Sequence, residues 1–190
     1  MKFKDITIAI RLLIVLTLLC GAVYPLLVTG IAQAAFPDKA NGSVVYNTKG
    51  EAVGSSLIAQ KFRDEKYFWP RPSAGDYATV ASGASNKGPT SADLKKSIDE
   101  RKAALAGTAK AAGADIPGDM LFASGSGLDP HISKASARFQ VKRIVTARKF
   151  DGAKTAALYA LVDRLTENPQ WGVFGEERVN VLLLNLELDR

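Results

Sequence analysis

The residues best placed to do chemistry lie in one short stretch, Ser124-Gly125-Ser126-Gly127-Leu128-Asp129-Pro130-His131. Glycines and serines between a strand and a helix can turn successive backbone amides toward one point and cradle an anion. A nucleotide phosphate would be the natural guest. However, the G-x-x-x-x-G-K-[ST] pattern is absent, no lysine follows Gly127 before Lys134, and Asp129 would repel phosphate. A strand-to-helix turn accounts for the same residues. Ser124, Gly125, Ser126 and Gly127 thus stand as candidate cofactor-binding residues beside the reading of a simple turn.

No other constellation offers catalysis or a metal site. His131 is the single histidine and Cys20 the single cysteine, which leaves no disulfide framework and no His/Cys cage. His131 reads as a solvated loop residue. Asp99-Glu100 and Glu176-Glu177 are adjacent carboxylates, and neighbours on a helix point different ways. The run Tyr67-Phe68-Trp69 beside Arg71 is either an exposed docking surface, since aromatics and Arg anchor interfaces, or a core segment. The expected assignment is no catalytic residue and no metal ligand.

Charge narrows the partners. The 190 residues hold 25 Lys and Arg against 19 Asp and Glu, a net of +6. Residues 37–190 carry 22 bases against 18 acids. That surplus is too dilute for a nucleic-acid binder, which clusters its bases on one face.

These residues must be delivered and positioned. From Leu12 to Ala35 the chain runs 24 residues without a charge, enough for a helix of roughly 36 Å against a hydrocarbon core of about 30 Å. Lys2, Lys4 and Arg11 precede it, which puts the N-terminus in the cytoplasm and residues 36–190 outside. A cleaved signal peptide with Ala32-Gln33-Ala34 as its cleavage site is the rival, although its apolar run is about 7–15 residues. The expected organisation is a cytoplasmic segment 1–11, a transmembrane helix 12–35 and an extracytoplasmic domain 36–190. Gly30 and Ala34 have the small-xxx-small spacing that lets a partner helix approach, and they also fit ordinary transmembrane composition. Pro25 should kink the helix near its middle.

Downstream, Val44–Tyr46 and Ala52-Val53, continuing to Ala59, flank Asn47-Thr48-Lys49-Gly50 and predict a hairpin. Pro70 and Pro72 pin Tyr67–Ser73 as extended chain. Residues 74–90 read as loop. Capping residues near Ser91 open a helix to about Ala112, stopped by Gly113. Met120–Ala123 suits a buried strand. Ser133 caps a helix to about Arg148, and Asp151 caps another to about Glu167. Residues 179–188 fit a helix capped by Asn180 or, by alternation, a strand, with the helix preferred. Strands first and helices later indicate an α+β domain on a single N-terminal transmembrane helix. From these residues alone the chain is an accessory subunit or an independent exported or membrane-anchored ligand-binding module.

Several stretches resemble one family. YPLLVTGIAQAAFPDKANGS (24–43), GSSLIAQKF (54–62), YFWPRPSA (67–74), ASGASNKGPT (81–90), ASGSGLDPHIS (123–133) and VNVLLLNLELD (179–189) look like KdpC, the C subunit of the Kdp potassium-transporting ATPase. The blocks occur in the family's order over almost the whole chain. The resemblance implies a non-catalytic subunit of a high-affinity, ATP-driven potassium importer in a bacterial inner membrane. Its partners would be a channel-like potassium-binding subunit, a P-type ATPase subunit and a very small membrane subunit. The family description implies roles in assembly and as a catalytic chaperone that raises the ATPase subunit's affinity for ATP. ATP and potassium then belong to the complex, with no cofactor of the chain's own.

Overall fold

The computed structural model describes residues 3–190; Met1 and Lys2 lie outside the described residues, leaving Lys4 and Arg11 to represent the basic flank. The chain divides into two units, one ending at Val44 and one spanning Val45–Arg190.

In the first unit a 33-residue helix covers Phe3–Ala35. It consists of α1 (Phe3–Leu18), a π-turn (Leu19–Val23) and α2 (Tyr24–Ala35). The helix begins ahead of the uncharged run because Lys4, Asp5 and Arg11 limit residence in lipid without stopping a helix. It is long and apolar enough to cross a membrane. Pro25 explains the π-turn. Its missing N–H frees the Gly21 carbonyl, and the turn before it widens so that the Tyr24 N–H reaches the Leu19 carbonyl. A short helix, α3 (Pro37–Ala40), follows.

The second unit is a mixed domain of helices and sheet, the α+β class the sequence indicates. The hairpin β1 (Val44–Tyr46) and β2 (Ala52–Ser55) closes through Asn47, whose Oδ1 accepts the Lys49 and Glu51 amides at 2.9 and 3.0 Å. The second strand stops at Ser55 rather than Ala59. A turn there bonds Ile58 N–H to the Ser55 carbonyl, and Ala59 is buried instead, its N–H donated to the Leu128 carbonyl at 2.9 Å.

Four helices follow the expected caps. In α4 (Ala92–Ala112) Ser91 Oγ accepts the Leu94 amide, and Gly113 ends the helix in the left-handed region at φ 65°. In α5 (Lys134–Arg148) Ser133 accepts the Ser136 amide, and in α6 (Gly152–Arg164) Asp151 accepts that of Lys154. In α7 (Val181–Leu188) Asn180 accepts the Leu183 amide. Each cap satisfies an amide that the first turn leaves free.

Three expectations need correction. Met120–Ala123 is not a strand. Pro117 initiates a 3-10 turn over Gly118–Met120 that buries Met120 and Leu121 and turns Phe122 outward. His131 is not a loop residue but opens β3 (His131–Ser133). The helix α6 stops at Arg164, so Thr166–Glu167 forms β4, and Arg178–Asn180 forms β5. The sheet order is β3-β5-β4, antiparallel throughout, with His131 opposite Asn180 and Thr166 opposite Val179. Tyr67–Trp69 belongs to the core, because Phe68 is fully buried among Ile132, Val141, Ile144, Val179 and Leu184. A second cluster joins Leu105, Met120 and Phe139 between α4 and α5, with Trp69 against it.

Candidate functional site

The glycine-serine loop follows the 3-10 turn and runs into β3 rather than into a helix. Ser124 is buried, and its N–H donates to the Pro72 carbonyl at 3.0 Å. The Gly127 N–H turns back to the Ser124 carbonyl at 3.2 Å, and the Leu128 N–H goes to Ser126 Oγ at 3.1 Å. Three amides that could have converged on a phosphate are thus spent inside the protein. Gly127 sits at φ 71°, where a Cβ would lie 2.9 Å from the Gly83 carbonyl oxygen and 3.2 Å from Ser73 Oγ. Its glycine is therefore required by close packing of the loop on residues 73–83. Gly125 faces open space.

Beside the loop, Asp129 Oδ2 accepts from Arg71 Nη1 at 3.0 Å, and its Oδ1 accepts the His131 amide at 3.0 Å. Burial opposes the charge on Asp129, but the hydrogen bonds from His131 and then Arg71 outweigh it and hold the carboxyl below its usual value. His131 Nδ1 lies 3.6 Å from Asp129 and Nε2 4.0 Å from Glu167. Arg71, Asp129 and His131 line a cleft of about 550 Å³ with Asp119, Glu176 and Arg178. Among the described residues, no three His, Cys, Asp or Glu side chains are grouped to hold a metal. Asp119 accepts from the Ser133 amide at 2.8 Å and from both Ser133 and Ser136 hydroxyls, which fixes the start of α5.

The strongest polar constellation lies elsewhere, around Tyr67–Pro72. This segment is extended, and its prolines keep it out of a ladder. Asn185 on α7 accepts the Phe68 N–H at 2.8 Å and donates to the Phe68 carbonyl at 3.0 Å. Gln140 on α5 does the same for Trp69, at 2.8 and 3.1 Å. One turn on, Arg143 donates to the carbonyls of Glu65 and Tyr67 and to Gln140 Oε1, at 2.6, 2.9 and 2.8 Å. Its guanidinium carbon stands 3.9 Å from the centre of the Trp69 ring. Burial pulls its pKa down to about 10, with Glu65 and Asp64 opposing, so it stays charged near neutrality. Tyr67 Oη donates to Asp189, which also accepts from Arg148.

Sequence reasoning missed Gln140, Arg143 and Asn185. The available signal was an amide in the apolar run of α7, and a Gln-Arg pair at i and i+3 between Phe139 and Ile144. Polar groups buried at helix positions are there to bond something.

Below Trp69 opens a recess of about 390 Å³, walled by Phe62, Pro70 and Tyr77 and rimmed by Arg63 and Arg101. Tyr77 Oη donates to the Arg71 carbonyl at 2.8 Å, and burial pushes its pKa up to about 12. Arg101 reaches the Leu121 carbonyl, and burial lowers its pKa. The chemistry here is apolar contact with cationic edges, suited to binding rather than bond-making. In the first unit Gly30 and Ala34 lie on one exposed face of α2, and a Cβ on Gly30 would meet nothing within 4 Å.

A family model described as KdpC: K+-transporting ATPase, c chain, matches residues 6–190. A protein of Geobacter metallireducens named potassium-transporting ATPase KdpC subunit is 49% identical over 190 residues, covering 98% of each chain. The proteins of the same name from Leptospira interrogans and Sorangium cellulosum are 49% and 50% identical over 184 residues. Those alignments cover 97% and 95% of this chain, and 93% and 95% of theirs. With a match across both units and the loops between their elements, the chain belongs to the KdpC family, the c chain of the K+-transporting ATPase.

Proposed function

We propose that this protein is a non-catalytic subunit of a high-affinity, ATP-driven potassium uptake complex. It acts in assembly, and it raises the affinity of the P-type ATPase subunit for ATP. The observation that carries this reading is the end-to-end family match. It is supported by a domain whose buried polar side chains hold its own backbone rather than a reacting group. The partners are a channel-like potassium-binding subunit, the P-type subunit and a very small membrane subunit, in a bacterial inner membrane. Potassium coordination and ATP hydrolysis belong to those partners.

Lys4 and Arg11, ahead of the uncharged run 12–35, favour a cytoplasmic N-terminus and an outside domain, by the positive-inside rule. ATP is cytoplasmic, so the effect on its binding is relayed through bound subunits as a coupling free energy. Coupling is reciprocal: if this chain tightens ATP binding, ATP must tighten binding of this chain.

The test measures ATP affinity of the purified ATPase complex with and without this chain, and the retention of this chain with and without ATP. Equal affinities would remove the chaperone role. Calorimetry on the full chain alone in detergent should show ATP binding no tighter than about 1 mM. Saturable micromolar binding would replace relay by a direct site.

A further inference from the structure

Between β4 and β5 the chain makes a tight excursion, residues 168–177, whose tip is apolar and bare. Trp171 is 89% exposed, Val173 76% and Phe174 62%. Three large apolar side chains thus stand in solvent within four residues, while Phe62, Tyr67, Phe68 and Trp69 of the same domain pack inward.

The tip is built, not loose. Gln170 N–H donates to the Phe174 carbonyl at 2.8 Å and the Phe174 N–H returns to Gln170 at 3.0 Å, closing a small antiparallel bridge. Gly172 N–H bonds Pro169 at 3.0 Å. Trp171 takes φ 54°, a left-handed conformation that a bulky residue adopts only when its surroundings impose it. The Trp171 and Phe174 rings meet edge to face, 6.0 Å apart at 79°. An aromatic pair held in advance loses little freedom on binding, which is how interface anchors gain affinity.

The flanks indicate the occupant. Residues 167–178 carry Glu167, Glu176 and Glu177 against Arg178 alone. Glu167 is paired with Arg178, whereas Glu176 and Glu177 have no ion-pair partner among the described residues. An acidic flank opposes approach to an anionic lipid surface. It complements a protein pocket with an apolar floor and a basic rim.

We propose that the Trp171–Phe174 tip is a docking anchor that inserts into such a pocket on another subunit of the potassium-transporting ATPase. This rests on the subunit reading given above. Trp171 and Phe174 fill the apolar floor, and Glu176 and Glu177 meet the basic rim.

The test uses the full chain, affinity-tagged and co-expressed with the other subunits. Trp171→p-benzoylphenylalanine should yield, on illumination, a covalent adduct with another ATPase subunit. Trp171→Ala with Phe174→Ala should lower recovery of the other subunits at least tenfold, with circular dichroism and thermal midpoint unchanged because both side chains are exposed. Glu176→Lys with Glu177→Lys should lower it several-fold at low salt, and added salt, which screens the new repulsion, should regain part of the loss. An adduct with lipid only, with a second copy of this chain only, or none would overturn the proposal. So would recovery of the double-alanine variant within twofold of the unaltered chain, with the subunit reading left standing. If the unaltered chain itself recovers no other subunit, both readings fall together.

Discussion

The Gln140 carboxamide bonds both main-chain groups of Trp69, accepting its N–H at 2.8 Å and donating to its carbonyl at 3.1 Å. Asn185 repeats the arrangement on Phe68 from the other side. Two side chains on two helices therefore stand in for a neighbouring strand, which Pro70 and Pro72 deny to this segment. The price of that solution is that each carboxamide becomes indispensable.

Replacing either carboxamide tests this directly. Gln140→Leu or Asn185→Leu leaves one N–H and one C=O of the segment without that partner, at about 1–3 kcal/mol per group, and Gln140→Leu also removes an acceptor of Arg143. Each variant should lose about 3 kcal/mol, or roughly 6–12 °C of thermal midpoint for a domain of this size. Thermal unfolding followed by circular dichroism reads it. A loss below about 0.5 kcal/mol, the scale of ordinary surface substitutions, would show that water takes over the bonds.

The glycine-serine loop gives a second, position-specific contrast. Gly127→Val places a Cβ within 2.9 Å of the Gly83 carbonyl at a positive φ, so both sterics and backbone oppose it. A loss of about 2 kcal/mol or more is expected, with residues 73–83 becoming more open to protease. Gly125→Ala, in open space, should change stability by under about 0.5 kcal/mol. Equal effects at the two positions would contradict the packing role of Gly127.

Asp129 supplies a pH signature. Its folded-state pKa is lowered by His131 and Arg71, although burial opposes them. A depressed carboxyl contributes stability above its unfolded value, about 3.9, and loses that contribution as pH falls through the lower folded value. The stability of the unaltered chain should therefore drop more steeply than that of Asp129→Asn as pH falls below about 4. Denaturant midpoints over this range decide it, and parallel curves would remove Asp129 from the acid response.

Much of the architecture was legible because it is written locally. Ser91, Ser133, Asp151 and Asn180 each announce a helix start, since a side-chain oxygen satisfies amides within its own turn. What stayed hidden depends on distant partners. The run Met120–Ala123 looks like a strand because apolar content alone does not distinguish a strand from a buried turn, and Pro117 decides it. The strand at His131 exists only because Arg178–Asn180, far along the chain, comes alongside it in register. Gln140 and Asn185 read as stray polar residues until the aromatic segment they bond is folded against them. The loop at Ser124 showed its composition but not where its amides point, and that direction governs what it can hold.

The helix Phe3–Ala35 carries a face of small residues. Gly30 and Ala34 are four residues apart, so they stack on one face one turn apart, and both are exposed. Small residues have no advantage against lipid, whereas they let a second helix backbone approach closely. Open space surrounds Gly30 within this chain, so a larger side chain creates no clash of its own. Gly30→Leu with Ala34→Leu increases apolarity and should leave membrane insertion unchanged in carbonate extraction. The same pair should lower recovery of the other ATPase subunits in mild detergent several-fold if a partner helix packs on this face. Leucine at Val28 and Ile31, which lie off that face and already carry bulk, is the control and should have no effect. If the double variant assembles like the control, the contacts that hold the subunit lie elsewhere in the helix or in residues 36–190.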